Sequence, residues 1–232
     1  MPLAAGLLLA GALLALPSLR RLLPAGALRL ATGLPATVVT AAFLNMAFFG
    51  VDAFVPLMLT AIRGQSIASG GIPLTTATLG WTAGSWLQAH LAPSRGRRLL
   101  VESGLAFIAL GIGGILAVLV TPVPAWLAAL AWGVAGLGMG LAFSTISLVV
   151  LETAAKGQEG TASAAFQLAN VLGGALGTGS GGAIVGQGGG STPGSAALLT
   201  QDLLMLAVLG LTALAAARMG RHRPQERDRS GS

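Results

Sequence analysis

The residue best suited to chemistry in this chain is Asp52. It stands in Phe48-Phe49-Gly50-Val51-Asp52-Ala53-Phe54-Val55-Pro56-Leu57, inside a long apolar stretch that runs from Ala36 to Thr60. If that stretch crosses a bilayer, a carboxylate at its middle costs about 2.5–3.5 kcal/mol, so it must face a cavity, pair with a base or hold a proton. The nearest base along the helix is Arg63, eleven residues on and about 16 Å away by helical rise. A proton-carrying role is one reading of Asp52. A structural hydrogen bond to a Ser, a Thr or a backbone carbonyl is the other.

Two sets of amides accompany it. Asn45 precedes Asp52 by seven residues, two helical turns, so both fall on one helix face and are expected to line a cavity together. Further on, Gln167, Asn170, Gly174 and Thr178 repeat at helical spacing and form a second polar stripe. Such amides either line a solute pathway or join helices, the latter contributing about 2 kcal/mol or less each. Both uses remain open on the sequence alone.

The elements that must hold these residues are membrane helices. The chain has 54% apolar and only 9% charged residues, where a water-soluble domain has about a quarter charged. Seven stretches approach or exceed the roughly 20 residues that cross a hydrocarbon layer. They run Leu3 to Leu19, Ala36 to Thr60, Gly71 to Leu91, Leu99 to Val120, Trp126 to Leu151, Ala162 to Val185, and Ala196 to Ala217. Backbone groups in lipid must be satisfied within the segment, and these runs are too long and too uniformly apolar for barrel strands, so an all-α polytopic bundle of about seven transmembrane helices is expected. The expected layout is a first helix over 1–19, a basic loop over 20–35, a six-helix bundle over 36–217 and a basic, disordered tail over 218–232.

Charge sets the orientation. Arg20, Arg21 and Arg29, then Arg95, Arg97 and Arg98, then Lys156, then Arg218, Arg221, Arg223, Arg227 and Arg229 occupy alternate gaps. Arg63 alone lies in an opposite gap. Short Lys- and Arg-rich loops stay cytoplasmic, which predicts an integral, multi-pass protein of the cell membrane with its N-terminus outside and its C-terminus inside. The same distribution explains the basic isoelectric point without nucleic acid, because the charges flank spans instead of forming one patch. The outer gaps carry turn chemistry at Gly64 to Gly70, Thr121 to Pro124 and Gly186 to Gly194. The last of these lacks the GxxxxGK[ST] pattern of a phosphate loop and is expected to be a linker. No basic region precedes the apolar run from Leu3, so a cleavable signal is not indicated, and a start so close to a span suggests that an N-terminal half is missing.

Other chemistries find little support. There is no Cys, and His90 and His222 lack partners at ligand spacing, so no metal or cofactor is expected. HExxH and GxSxG are absent, which argues against an enzyme. Glu102 is expected to pair with the nearby Arg cluster, Glu152 and Glu159 to form a solvated cluster around Lys156, and Asp202 to stay wet near the outer interface. Pro56 and Pro73 are expected to kink their helices. Trp81, Trp86, Trp126 and Trp132 are expected at interfaces or in packing, with Trp126 an outer belt anchor.

Glycine is the second informative residue, with 35 copies. Gly80 and Gly84, Gly136 and Gly140, and Gly173, Gly177 and Gly181 each lay a bare stripe on one helix face, which lets neighbouring backbones approach closely. Stripes on three spans predict a tightly packed bundle.

The segment from Phe48 to Leu57, with its acid, resembles the seventh helix of major facilitator superfamily transporters, particularly the bacterial drug-exporter-like branch. Gly84-Ser85-Trp86-Leu87-Gln88 followed by Arg95-Gly96-Arg97-Arg98 is similar to that family's motif between helices eight and nine, with Gln88 where the full motif has an acid. Gly133 to Gly140 and Ala164 to Gly177 resemble helices ten and eleven. The resemblance implies that the first span is helix six and the rest the C-terminal bundle. It implies a proton-coupled exporter of small amphipathic compounds, with Asp52 the proton site and Asn45, Gln167, Asn170 and Thr178 lining the cavity. A pathway between two bundles then requires a missing N-terminal half or a homodimer partner. The competing readings are a non-transporting assembly subunit and, with only helix number behind it, a seven-helix receptor.

Overall fold

The computed structural model describes residues 26–29, 31–120, 122–186 and 194–219, and these are all-helical. The expected first span, Leu3 to Leu19, lies outside the described residues, as do Arg20, Arg21 and the tail from residue 220. Six long helices follow: α1 Leu34–Asp52, α2 Ile67–Leu91, α3 Arg97–Val120, α4 Leu127–Thr153, α5 Glu159–Gly186 and α6 Ser195–Ala216. Each begins and ends within about four residues of its apolar stretch, except that α1 stops early, at Asp52. Counting α1 with its continuation to Ile62, five are long and apolar enough to cross a membrane. The exception, α2, has 25 residues, a length of about 37 Å, but carries more hydroxyls. Those of Thr78 and Thr82 bond carbonyls one turn back, at 2.9 and 3.0 Å, which satisfies them within the helix.

Local chemistry sets the helix ends. Gly33 takes a positive φ of 87° just before α1, and Pro35 occupies the first turn, where a missing N–H costs nothing. Ser66 caps α2 by accepting the Ser69 N–H at 3.2 Å. The guanidinium of Arg63 donates to the carbonyls of Val118 (3.0 Å) and Val123. Those groups lie at and just beyond the end of α3, where a cation meets the negative end of the helix dipole. A specific capping contact therefore accounts for the one base out of step with the loop pattern.

The helices alternate between the end of the bundle that carries the basic loops and the opposite end. α1 and α4 touch at the centre, α2 packs along α4, α5 along α1, and α3 and α6 meet each other while packing on α4 and α1 respectively. Glycine makes several of these contacts close, two of them through the stripes read from the sequence. On α2 and α4, a Cβ at Gly80 would strike the Gly133 carbonyl, one at Gly84 that of Leu137, one at Gly136 that of Ala77, and one at Gly140 that of Trp81. On α5, a Cβ at Gly173 would strike the Ala42 carbonyl of α1, one at Gly177 that of Met46, and one at Gly181 the Phe54 ring. The core between the helices is built from residues such as Leu44, Ile108, Ile112, Trp132, Met139 and Met205, all fully buried. The outward faces of α3 and α6 carry Leu110, Leu203, Leu211 and Leu214, all exposed, as lipid-facing positions should be.

Candidate functional site

The break in α1 is the first element of the site. Pro56 has no N–H to offer the carbonyl of Asp52 four residues back, and its ring crowds that carbonyl, so the regular ladder stops there. The Phe54 N–H turns to Val51 O at 2.9 Å instead of Gly50 O. After a turn over Ala53 and Phe54 the helix resumes at Val55–Leu57 and continues as a π-helical turn over Met58–Ile62. Pro73 has no such effect, since α2 runs through it unbroken.

The Gly50 carbonyl released by the break is caught from another helix. Gln201 of α6, fully buried, donates its Nε2 to Gly50 O at 3.0 Å and to Gly177 O at 3.2 Å. Both partners are acceptors, so the amide must point its nitrogen at them, which leaves Oε1 buried without a donor. Asp202 beside it is 4% exposed. That corrects the expectation of a wet residue near the outer interface. Gln201 and Asp202 fall on the same stripe as Leu198, Met205 and Leu209, which turns toward the bundle, whereas the apolar Leu203 and Leu204 turn outward.

Asp52 sits at the last residue of α1 before the break. Its Oδ1 accepts the indole Nε1–H of Trp132 from α4 at 2.6 Å. The structural partner expected from sequence was a hydroxyl or a carbonyl; the donor is instead a fully buried tryptophan read from sequence as a packing or interfacial residue. Trp132 also stacks on Phe48, with centroids 5.0 Å apart and planes 16° from parallel. Phe48 meets Phe49 edge-on at 5.4 Å and Trp81 edge-on at 5.8 Å.

One turn or more below Asp52, the flank of the α1–α5 contact forms an open groove of about 380 Å³, lined by Asn45, Phe49, Asn170, Val171, Gly174 and Thr178. Asn45 donates its Nδ2 to Asn170 Oδ1 and to Ala41 O, both at 2.9 Å. Asn170 Nδ2 in turn donates to Gln167 Oε1 at 3.2 Å, and Thr178 donates to Gly174 O at 2.9 Å. Gln167 supports the amide chain without lining the groove, and its side faces outward. Asp52 does not line it either. The break and the indole draw its carboxylate to α4, so the cavity shared by Asn45 and Asp52 that helical spacing predicts is two neighbouring places joined by Phe48 and Phe49. The groove thus offers two amides and a hydroxyl among apolar walls, suited to a small molecule with both polar and apolar parts.

At the basic end, the loop motif is built into the same scaffold. Gly84 packs against α4, Gln88 is buried, Arg97 pairs with Glu152 of α4, and Arg98 pairs with Glu102 one turn on at 2.6 Å. Arg95 is exposed. Glu152 is thereby taken from the cluster expected around Lys156, while Glu159 accepts the Gly157 N–H at 3.2 Å. Trp126 is 63% exposed at the opposite end. Among the described residues no group of His, Asp and Glu could hold a metal ion.

A search of curated proteins finds no relative that matches this chain. The family model of the Major Facilitator Superfamily matches residues 2–178, well over half of the 232 residues, and the chain belongs to that superfamily of membrane proteins, which transport small molecules.

Proposed function

We propose that this chain supplies one half of a proton-coupled efflux pathway for amphipathic small molecules. The observation that carries the reading is the pairing of an open, mixed polar and apolar groove on α1 and α5 with a carboxylate at the break of α1, joined by Phe49, Phe48 and Trp132. Its walls come from two helices only, and in a bilayer the amides of Asn45, Gln167 and Asn170 need water or protein beyond them. A second helical bundle facing the groove, either an N-terminal half or a second copy of this chain, encloses the pathway. Transporters of this architecture place solute at the interface of two bundles and expose it alternately by rocking one against the other. Asp52 exchanges the proton, while Asn45, Asn170 and Thr178 contact solute. The alternating basic loops support a cell-membrane protein with its N-terminus outside and its C-terminus in the cytoplasm.

The test is proton-driven dye efflux in inside-out vesicles. It compares the chain alone, the chain with a candidate N-terminal half, and that pair carrying Asp52→Asn. Efflux by the pair and its loss on Asp52→Asn support the reading; efflux by the chain alone assigns the facing bundle to a second copy. Silence in all three, with insertion confirmed, favours the non-transporting assembly subunit.

A further inference from the structure

We propose that Trp132 couples occupation of the groove to protonation of Asp52. The inference rests on the reading of Asp52 as the proton-exchanging group and adds the residue that links it to solute.

The link is continuous and made of defined contacts. Phe49 lines the groove on one side and meets Phe48 edge-on at 5.4 Å. Phe48, 2% exposed, lies flat on the Trp132 indole at 5.0 Å. Trp132 is fully buried, and its one polar atom donates to Asp52 Oδ1 at 2.6 Å. Successive residues on a helix point about 100° apart, which is why Phe49 reaches the groove while Phe48 reaches α4.

Close packing makes this arrangement responsive. A solute lying on Phe49 restricts that ring, Phe48 shifts against it, and the stacked indole has no empty space in which to absorb the change. An indole nitrogen only donates. Its bond to a charged carboxylate is about twice as strong as one to a neutral acid. Moving the indole therefore changes the balance between the charged and neutral forms of Asp52. By reciprocity, protonating Asp52 changes solute affinity by the same factor.

Few other charges stand near. α4 carries one charged residue, Glu152, at its basic end, and α5 carries one, Glu159, at its start. α6 contributes the buried Asp202, and the continuation of α1 ends at Arg63. Asp202→Asn therefore serves as a control.

The experiment measures binding of the amphipathic cation rhodamine 6G to the full chain in proteoliposomes, by dye anisotropy, across pH. The parent is expected to lose about tenfold in affinity as pH falls, because the indole bonds protonated Asp52 more weakly and the Phe48 and Phe49 wall of the groove loosens with it. Asp52→Asn abolishes that dependence and Asp202→Asn leaves it in place. Trp132→Phe keeps a ring against Phe48 but removes the donor. It is expected to bind dye at high pH within about threefold of the parent and to lose the pH dependence, a split that simple loss of packing does not produce. Phe48→Leu retains indole and carboxylate but breaks the stack, and is expected to flatten the profile independently. A full tenfold dependence in either Trp132→Phe or Phe48→Leu overturns the coupling while leaving Asp52 as the proton site. A parent that binds no dye with or without the candidate N-terminal half, or an Asp52→Asn variant that titrates like the parent, overturns both.

Discussion

Two helix pairs in this bundle are built on the same small-residue spacing and reach different ends. Between α2 and α4 the glycines are reciprocal: Gly80 and Gly84 receive carbonyls of α4, and Gly136 and Gly140 receive carbonyls of α2. Hydroxyls add the Thr76 bond to Ala129 O at 2.6 Å and the Ser144 to Ser85 bond at 3.1 Å, and the pair closes along its length. Between α1 and α5 the stripe is one-sided, since Gly173, Gly177 and Gly181 all belong to α5. The side next to it carries Asn45, Asn170 and Thr178, and there the flank of the contact stays open as a groove. A glycine stripe alone therefore specifies approach. Whether the approach makes a seam or a cavity depends on the residues one helical step away from it.

The largest expected effect breaks that comparison directly. Gly136→Leu puts a side chain against the Ala77 backbone, which cannot give way, so we expect a loss of about 3 kcal/mol or more in thermal or denaturant unfolding in detergent. Gly174→Leu is the counterpart on α5. A Cβ there meets only the Phe49 ring, at 3.7 Å. Its stability cost is expected within about 1 kcal/mol, while dye binding falls because the groove is filled. Equal destabilisation by both would mean that the groove is packed as tightly as the seam.

The next effect tests what holds the interrupted helix. Gln201→Met retains length but leaves the carbonyls of Gly50 and Gly177 without their side-chain donor, and it also removes the unpaired Oε1. These act in opposite directions, and a net loss of about 1–2 kcal/mol is expected. Accessibility gives a more local readout in a chain without cysteine. Ala53→Cys, at an exposed position in the break, should react faster with a maleimide when Gln201 is replaced.

Much of this was legible in the residues, and the misses have physical causes. Helix limits followed hydropathy because the bilayer demands it, and the stripes of Gly136, Gly140, Gly173, Gly177 and Gly181 announced close approach because nothing else on those faces could pack. The expected kink at Pro56 is there, but its placement at Asp52 follows from which carbonyl the proline deprives. The indole partner of Asp52 was not visible, because an 80-residue separation between Asp52 and Trp132 carries no spacing signal. Asp202 was misread for a different reason, and Gln201 beside it was passed over. Distance from the helix end suggested water, whereas in lipid it is the face that decides, and the run of outward Leu on α6 already marked the opposite face as the buried one.

A smaller effect sharpens the contrast on the groove side. In lipid an amide pair typically contributes about 0.6 kcal/mol and at most about 1.7, since the separated helices find other partners. A double-mutant cycle with Asn45→Leu and Asn170→Leu is expected in that range, with each single change lowering dye affinity more than stability. A coupling near 3 kcal/mol would make this pair a structural bolt and remove it from the solute path.

The smallest effect lies at the basic end, where Arg97 of α3 meets Glu152 of α4 with about a third of each side chain exposed. Water and salt reach such a pair, so its contribution is expected at about 0.5 kcal/mol in a double-mutant cycle and to fall further at high ionic strength. Its interest is positional, because it fastens α3, and with it the loop from α2, to the helix that forms the closed seam. If Arg97→Ala leaves the unfolding of the seam unchanged but alters dye efflux by the assembled pair, the ion pair belongs to the moving parts of the bundle. If it changes neither, the seam is held by its glycine contacts and hydroxyl bonds without the ion pair, and the charged loop serves orientation in the membrane.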